Sequence, residues 1–286
     1  MYVFYEYIQF MNVSDTPSPV PIFSFANGEG GAISRRIIRG LERFTGQPRI
    51  KKIYLDYVDD NRPDHLFWQD AVDRLNINVD LNFDPGAYIP PKGRLLVIAN
   101  HPFGVVDGLV LCSELSKIRS DYQMITHEVL RQAPAVMHQI LPINFAETAE
   151  ALATNMQTRQ DAMSQLKNDG ALVLFPSGAI SLAPRILGKA QDAQWKTFVA
   201  KLAQIENTTI LPVFFSGQNS MSYMLARKFS LTLGYSLMFR EICRLMGQQV
   251  KVTIRKPVSN SVLSQFNNRN EMTEYLRQLT YGQLTS

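Results

Sequence analysis

The chain is short of cysteine: of 286 residues only Cys112 and Cys243 carry thiols, far apart and outside any C-x-x-C or Cys/His cluster. That scarcity excludes a disulfide framework and a zinc site of the usual spacing, and it fits a reducing, cytoplasmic setting. Long apolar runs are missing too; nothing approaches the ~18 consecutive apolar residues that a membrane-spanning helix needs. The opening MYVFYEYIQFM has neither a basic leading segment nor a small-residue cleavage site, so it does not read as a secretory signal. The glycines of ANGEGG (26–31) follow no strand and precede no G-K-[ST], which leaves a flexible connector rather than a phosphate loop. Charged residues are few, 19% against 45% hydrophobic, and that balance excludes disorder. No repeat, coiled coil or low-complexity tract is present.

The formal charge of +4 conceals an asymmetry, because residues 185–256 hold 11 basic side chains against 3 acidic ones. Such a basic half suits an anionic membrane surface, coenzyme phosphates or an acidic carrier protein, unless it is only a solvated face. No recognisable nucleic-acid-binding module accompanies it, which argues against nucleic acid.

After residues 1–32, which read as irregular, the spacing of Ile37, Ile38, Leu41 and Phe44 predicts an amphipathic helix, and Leu66, Phe67, Val72 and Leu75 predict another opening near Asp64. Val79, Leu81 and Phe83 alternate with polar residues as a strand does. Short apolar runs then alternate with helical stretches: strands at 95–99, 122–126, 139–143, 171–175, 209–215 and 250–254, with helices from about Asp107, over 147–169, around 195–205 and over 235–246. Continuous apolar strands alternating with helices predict an α/β fold, a largely parallel central sheet covered by helices on both faces, behind an N-terminal helical preface. The implied division is an irregular and helical segment at 1–60, the α/β domain at 61–259 and a helical tail at 260–286. Ligands gather at the carboxyl ends of strands in such sheets, so His101, Ser177 and Ser216, each past a strand end, are expected on one rim.

Residues 100–108 read NHPFGVVDG, a histidine six positions ahead of an aspartate with Pro102 and Gly104 between. An imidazole titrates near neutrality and can take a proton from an attacking alcohol, while a carboxylate on its other nitrogen fixes tautomer and orientation. His101 is therefore the candidate general base and Asp107 its partner, unless Asp107 is an ordinary helix cap. His65, His127 and His138 lack such a setting and read as surface or packing residues. LFPSGAIS (174–181) is a second strand-to-turn loop whose amides suit an oxyanion. Ser177 or Ser181 would complete a triad with His101 and Asp107, making a lipid esterase the rival reading, although the loop is not the G-x-S-x-G elbow. Arg185 and Lys189 follow within two helical turns and are candidate phosphate contacts. Tyr235, Met238, Phe239, Ile242 and Met246 form an apolar stripe, either interfacial or core.

In order, NHPFGVVDG, LFPSGAIS and PVFFSGQNS (212–220) resemble the lysophospholipid acyltransferase superfamily, which contains the PlsC-like bacterial 1-acylglycerol-3-phosphate acyltransferases. More specifically they are similar to its hemolysin-type branch, which includes ornithine-lipid O-acyltransferases. RGLERFTGQPRIKKIY and SLMFREICRLMGQQVKVTIRKPV extend the resemblance over residues 39–258. The resemblance implies transfer of an acyl group from acyl-carrier protein (acyl-ACP) or acyl-coenzyme A (acyl-CoA) to a lysolipid hydroxyl, without metal or bound cofactor, on the inner face of the cell membrane. It makes His101 the base and Asp107 its partner, with Asn100, Phe103, Gly104, Pro176, Ser177 and Gly178 around the substrate and the amides near Gly104 or Gly178 on the oxyanion. Two departures stand out. The common H-x4-D is here H-x5-D, a form the branch tolerates, and the usual F-P-E-G-T-R-S has Ser177 for its glutamate and Ile180 for its arginine. That arginine is the family's phosphate contact, so its replacement favours an acceptor without a phosphoglycerol head, such as lyso-ornithine lipid, with lysophosphatidic acid open if Arg185 substitutes. A lipid-binding module without chemistry is the third reading, against which His101 and Asp107 both stand intact.

Overall fold

The structure, a computed structural model, describes residues 24, 32–185 and 188–284. Most of the stretch read as irregular, including the ANGEGG glycines, lies outside the described residues. The described chain opens with three helices, α1 (Ala32–Phe44), α2 (Gln47–Asp59) and α3 (Phe67–Arg74), the last preceded by a 3-10 turn at Asp64–Leu66. Two of the three follow the apolar spacing. The second was not anticipated, because its sequence QPRIKKIYLDYVD opens on a polar, proline-containing turn.

Strand β1 (Asn78–Leu81) ends before Phe83, which is exposed. Then come β2 (Leu95–Ala99), α4 (Val105–Ser116), β3 (Tyr122–His127), β4 (Ile140–Ile143), α5 (Ala149–Lys167), β5 (Ala171–Leu174), α6 (Phe198–Ala203) and β6 (Thr209–Ser216). Helices α7 (Met221–Phe229) and α8 (Leu231–Leu245), strands β7 (Gln249–Ile254) and β8 (Val258–Ser259), and helix α9 (Arg269–Tyr281) complete it. The sheet runs β1-β7-β6-β2-β5-β3-β4, with β8 added to β6. Its centre is parallel, with Leu96 opposite Leu172 on one side and Ile210 on the other. Strands β7 and β8 are both antiparallel to β6, and β1 pairs in parallel with β7.

Period-two alternation divides the core between the two faces. Leu95, Val97 and Ala99 of β2 pack with Trp68, Val106, Met238 and Phe239, whereas Leu96 and Ile98 pack with Leu166, Trp195, Val199 and Leu276. Strand β2 is thus buried on both sides, which is why LLVIA has no polar residue to alternate. The stripe on α8 is core: Met238, Phe239 and Ile242 are all buried. Because β2 to β6 run the same way, their carboxyl ends share one edge, which carries the loops after Ala99, His127, Ile143, Leu174 and Ser216.

Candidate active site

Gly104 makes the first loop possible. It sits at φ 76°, ψ −118° as the N-cap of α4, a conformation closed to side chains, and a Cβ there would stand 2.8 Å from Cδ1 of Ile180. The turn brings Asp107, at the third position of α4, back over the chain that precedes the helix. Its Oδ2 accepts the amides of Phe103 at 2.9 Å and Gly104 at 3.0 Å. The same oxygen lies 3.0 Å from His101 Nδ1, though off the line of an ideal ring N–H hydrogen bond, so Nδ1 makes no fully formed bond. Catalytic hydrogen bonds in unliganded sites are commonly loose in this way. Asp107 is therefore a helix cap and the neighbour of the imidazole at once. Burial pushes its carboxyl above the ordinary carboxylate range, opposed by His101 and then by the two amides.

The imidazole is held from three directions. Its ring stacks on Phe175 with centroids 4.1 Å apart. Its backbone carbonyl accepts the amide of Ser181 at 2.8 Å, and its own amide donates to Asp192 Oδ1 at 3.1 Å. With Nδ1 buried, the 19% of the side chain that is exposed belongs to the rest of the ring, and His101 lines a cavity of about 550 Å³. That volume falls within the roughly 300–1,000 Å³ of small-molecule sites. Its walls are largely apolar, among them Val105, Ile125, Leu130, Phe145, Leu174 and Met238. Among the described residues no group of three His, Cys, Asp or Glu is arranged to hold a metal ion.

The residues singled out in the sequence divide into two sets. Gly104, Pro176 and Gly178 line the cavity beside His101. Asn100 instead clamps β2 to β6, its Nδ2 donating to Phe215 O at 2.9 Å and its Oδ1 accepting the Phe215 amide at 2.7 Å. Phe103 is buried against Gly217, where a Cβ would fall 2.5 Å from its ring. Ser177 turns its hydroxyl to Ala179 O at 2.7 Å and Ser181 donates to Asp192 at 2.5 Å, so neither hydroxyl is bonded to His101. Arg185 and Lys189 are exposed and off the cavity wall. An isolated antiparallel bridge joins Leu182 to Gln191, one on each side of the pair. The amides offered to an oxyanion are also committed, Gly104 to Asp107 and Gly178 to Phe175 O at 3.0 Å. The first-turn amides of α4 at Val105 and Val106 are the ones left without an intrahelical partner.

Sequence reading missed several residues. His127, which reads in the sequence as a surface or packing residue, lines the cavity, and burial there pulls its imidazole down to about 4. Asp192 gathers the His101 amide, Ser181 and Trp195 Nε1 (2.8 Å), yet sits in a stretch with no motif. Among the described residues the cations on the cavity wall are Arg159, Lys196 and Arg227, and no carboxylate joins them. For Lys196 and Arg227 the only sequence signal is the basic excess of residues 185–256, and Arg159 lies outside it.

A family model described as Acyltransf_2, acyltransferase, matches residues 79–285. A lyso-glycine lipid O-acyltransferase of Phocaeicola vulgatus is 24% identical, over 68% of this chain and 69% of its own length. A lyso-glycine lipid O-acyltransferase of Bacteroides thetaiotaomicron is 26% identical, over 68% and 71%. Among solved structures, the 1-acyl-sn-glycerophosphate acyltransferase PlsC from Thermotoga maritima aligns over 77% of this chain and 76% of that one, with a TM-score of 0.49 and 18% identity.

Proposed function

The chain belongs to this acyltransferase family, and from that premise we propose that it moves a fatty acyl group from an acyl-ACP or acyl-CoA thioester to the hydroxyl of an amino-acid lysolipid. The observation that carries the reading is the imidazole set against a buried carboxylate with its remaining edge open to an apolar-walled cavity. His101 takes the proton of the acceptor hydroxyl as the oxygen attacks the thioester carbonyl carbon. The carbonyl oxygen gains negative charge, which the positive end of the α4 dipole and its first-turn amides would stabilise. Collapse of the adduct breaks the carbon–sulfur bond, and His101 returns the proton to the departing thiolate.

Three features support the acceptor class. Ile180 stands where the superfamily places its phosphate-binding arginine and packs on Gly104, and Arg185 is not among the residues lining the cavity. The two curated relatives are named for lyso-glycine lipid. Glycine and ornithine lysolipids, each with a free carboxylate, are accordingly preferred over lysophosphatidate. A second apolar cavity of about 110 Å³ shares Val105 and Leu130 with the first and gives an acyl chain further room. We place the enzyme at the inner face of the membrane: Ile33 and Phe44 of α1 and Phe229 at the end of α7 are exposed apolar side chains, and no helix among the described residues is long and apolar enough to span a bilayer.

The test is purified protein with acyl-ACP and acyl-CoA against glycine, ornithine and glycerophosphate lysolipids. Transfer to an amino-acid lysolipid is expected. Transfer to none, or preference for lysophosphatidate, would overturn the reading.

A further inference from the structure

Loss of the second-motif arginine leaves the cavity without the cation usual in its superfamily, yet Arg159, Lys196 and Arg227 still reach its wall. Arg159 and Lys196 are exposed, whereas Arg227 is half-buried. Arg227 forms no ion pair among the described residues, and an uncompensated guanidinium on a mostly apolar wall favours an anionic ligand.

Its position is built. Ser220, at the end of PVFFSGQNS, caps α7 by accepting the Tyr223 amide at 3.2 Å and is itself held by the buried Glu241 of α8. Tyr223 and Arg227 are four residues apart on α7, hence on one face, and both line the cavity. Arg227 lies across α8 at Gly234, where a Cβ would stand 2.6 Å from its Cδ and 3.4 Å from its Cβ. A glycine inside a helix is destabilising relative to alanine; here it makes room for the arginine stem.

We propose that Arg227, seated on Gly234, binds the anionic headgroup of the acyl acceptor, the carboxylate of the amino-acid lysolipid. The planar guanidinium fork matches a carboxylate through two parallel hydrogen bonds. This assignment rests on the acceptor class given above and names the residue that selects it.

The experiment measures transfer and equilibrium binding with lyso-glycine lipid, its primary-amide analogue and lysophosphatidate, for wild type, Arg227→Gln, Arg227→Lys and Gly234→Ala. Thermal melting of each variant checks folding. Arg227→Gln should raise the acceptor KM and Kd by roughly 10- to 100-fold, the worth of a charge-assisted hydrogen bond, and leave the donor KM in place. Wild type should bind the amide analogue worse than the acid by a similar factor, and Arg227→Gln should bind the two alike. Gly234→Ala should reproduce part of the loss with the charge intact, and Arg227→Lys should recover only part of it. A carboxylate preference that survives in Arg227→Gln overturns the assignment, as does a rise confined to the donor KM. Lysophosphatidate favoured by wild type and lost in Arg227→Gln would give the seat to a phosphate instead. A wild type that transfers to no lysolipid refutes the acyl-transfer reading alone, since the binding arm still decides the role of Arg227.

Discussion

Asp192 Oδ1 accepts the backbone amide of His101 at 3.1 Å, across 91 residues of sequence. The same carboxylate takes Ser181 Oγ and Trp195 Nε1, and the Asp192 amide donates to the Tyr281 hydroxyl of α9 at 2.9 Å. Burial, then the charge of Asp192, push the Tyr281 phenol up to about 12, so it stays a neutral hydroxyl. The imidazole is thus tied to both sequence motifs and to the C-terminal helix through one buried acid.

Asp192→Ala leaves three donors unsatisfied, each costing about 1–3 kcal/mol. Urea unfolding should show a loss of several kcal/mol, and Asp192→Asn, which keeps an acceptor, a smaller one. Equal stability of the wild type and the alanine variant would contradict the network.

Gly104→Ala introduces a side chain at a backbone angle open to glycine and against Ile180. The expected cost is about 1–3 kcal/mol, with transfer reduced because the Phe103 and Gly104 amides leave Asp107. Adding Ile180→Ala should recover the steric part and not the backbone part. A Gly104→Ala protein as stable and active as wild type would show that the turn does not need glycine.

His127 gives a pH signature. The unfolded imidazole takes a proton near 6.5, whereas burial holds the folded one down to about 4. Stability is therefore unaffected above pH 6.5 and falls as the pH drops from 6.5 toward 4, by about 2–3 kcal/mol once partial exposure is allowed for. His127→Gln should flatten that limb of a stability-versus-pH curve. Parallel curves for the two proteins would contradict the assignment.

Ser177 separates transferase from esterase. Its hydroxyl is turned into its own loop, so Ser177→Ala should retain acyl transfer, and a fluorophosphonate should label neither protein. Labelling of wild type that disappears in the variant would restore the serine nucleophile.

What the sequence made legible was local. LLVIA and ALVL are buried on both faces and so are apolar throughout, and the histidine and aspartate of the first loop are close enough in sequence for one turn to join them. What stayed hidden depends on distant partners. Helix α7 has no acid in its first turn, because the carboxylate that holds its cap is Glu241, 21 residues on. Asp192 is unremarkable until the fold brings it beneath His101, and Arg227 until Gly234 opens a groove for it. Arg185 and Lys189, near the second loop in sequence, are exposed and do not line the cavity, because nearness along the chain does not carry a side chain into a site built by distant elements.

In the proposed mechanism His101, set by Asp107, removes the acceptor proton. This step is tested most directly by the single-turnover rate of acyl transfer in His101→Ala against wild type, with both shown to bind acceptor equally. A general base contributes about 10²- to 10⁴-fold, and a loss of that size is the predicted result; transfer at the wild-type rate would contradict it.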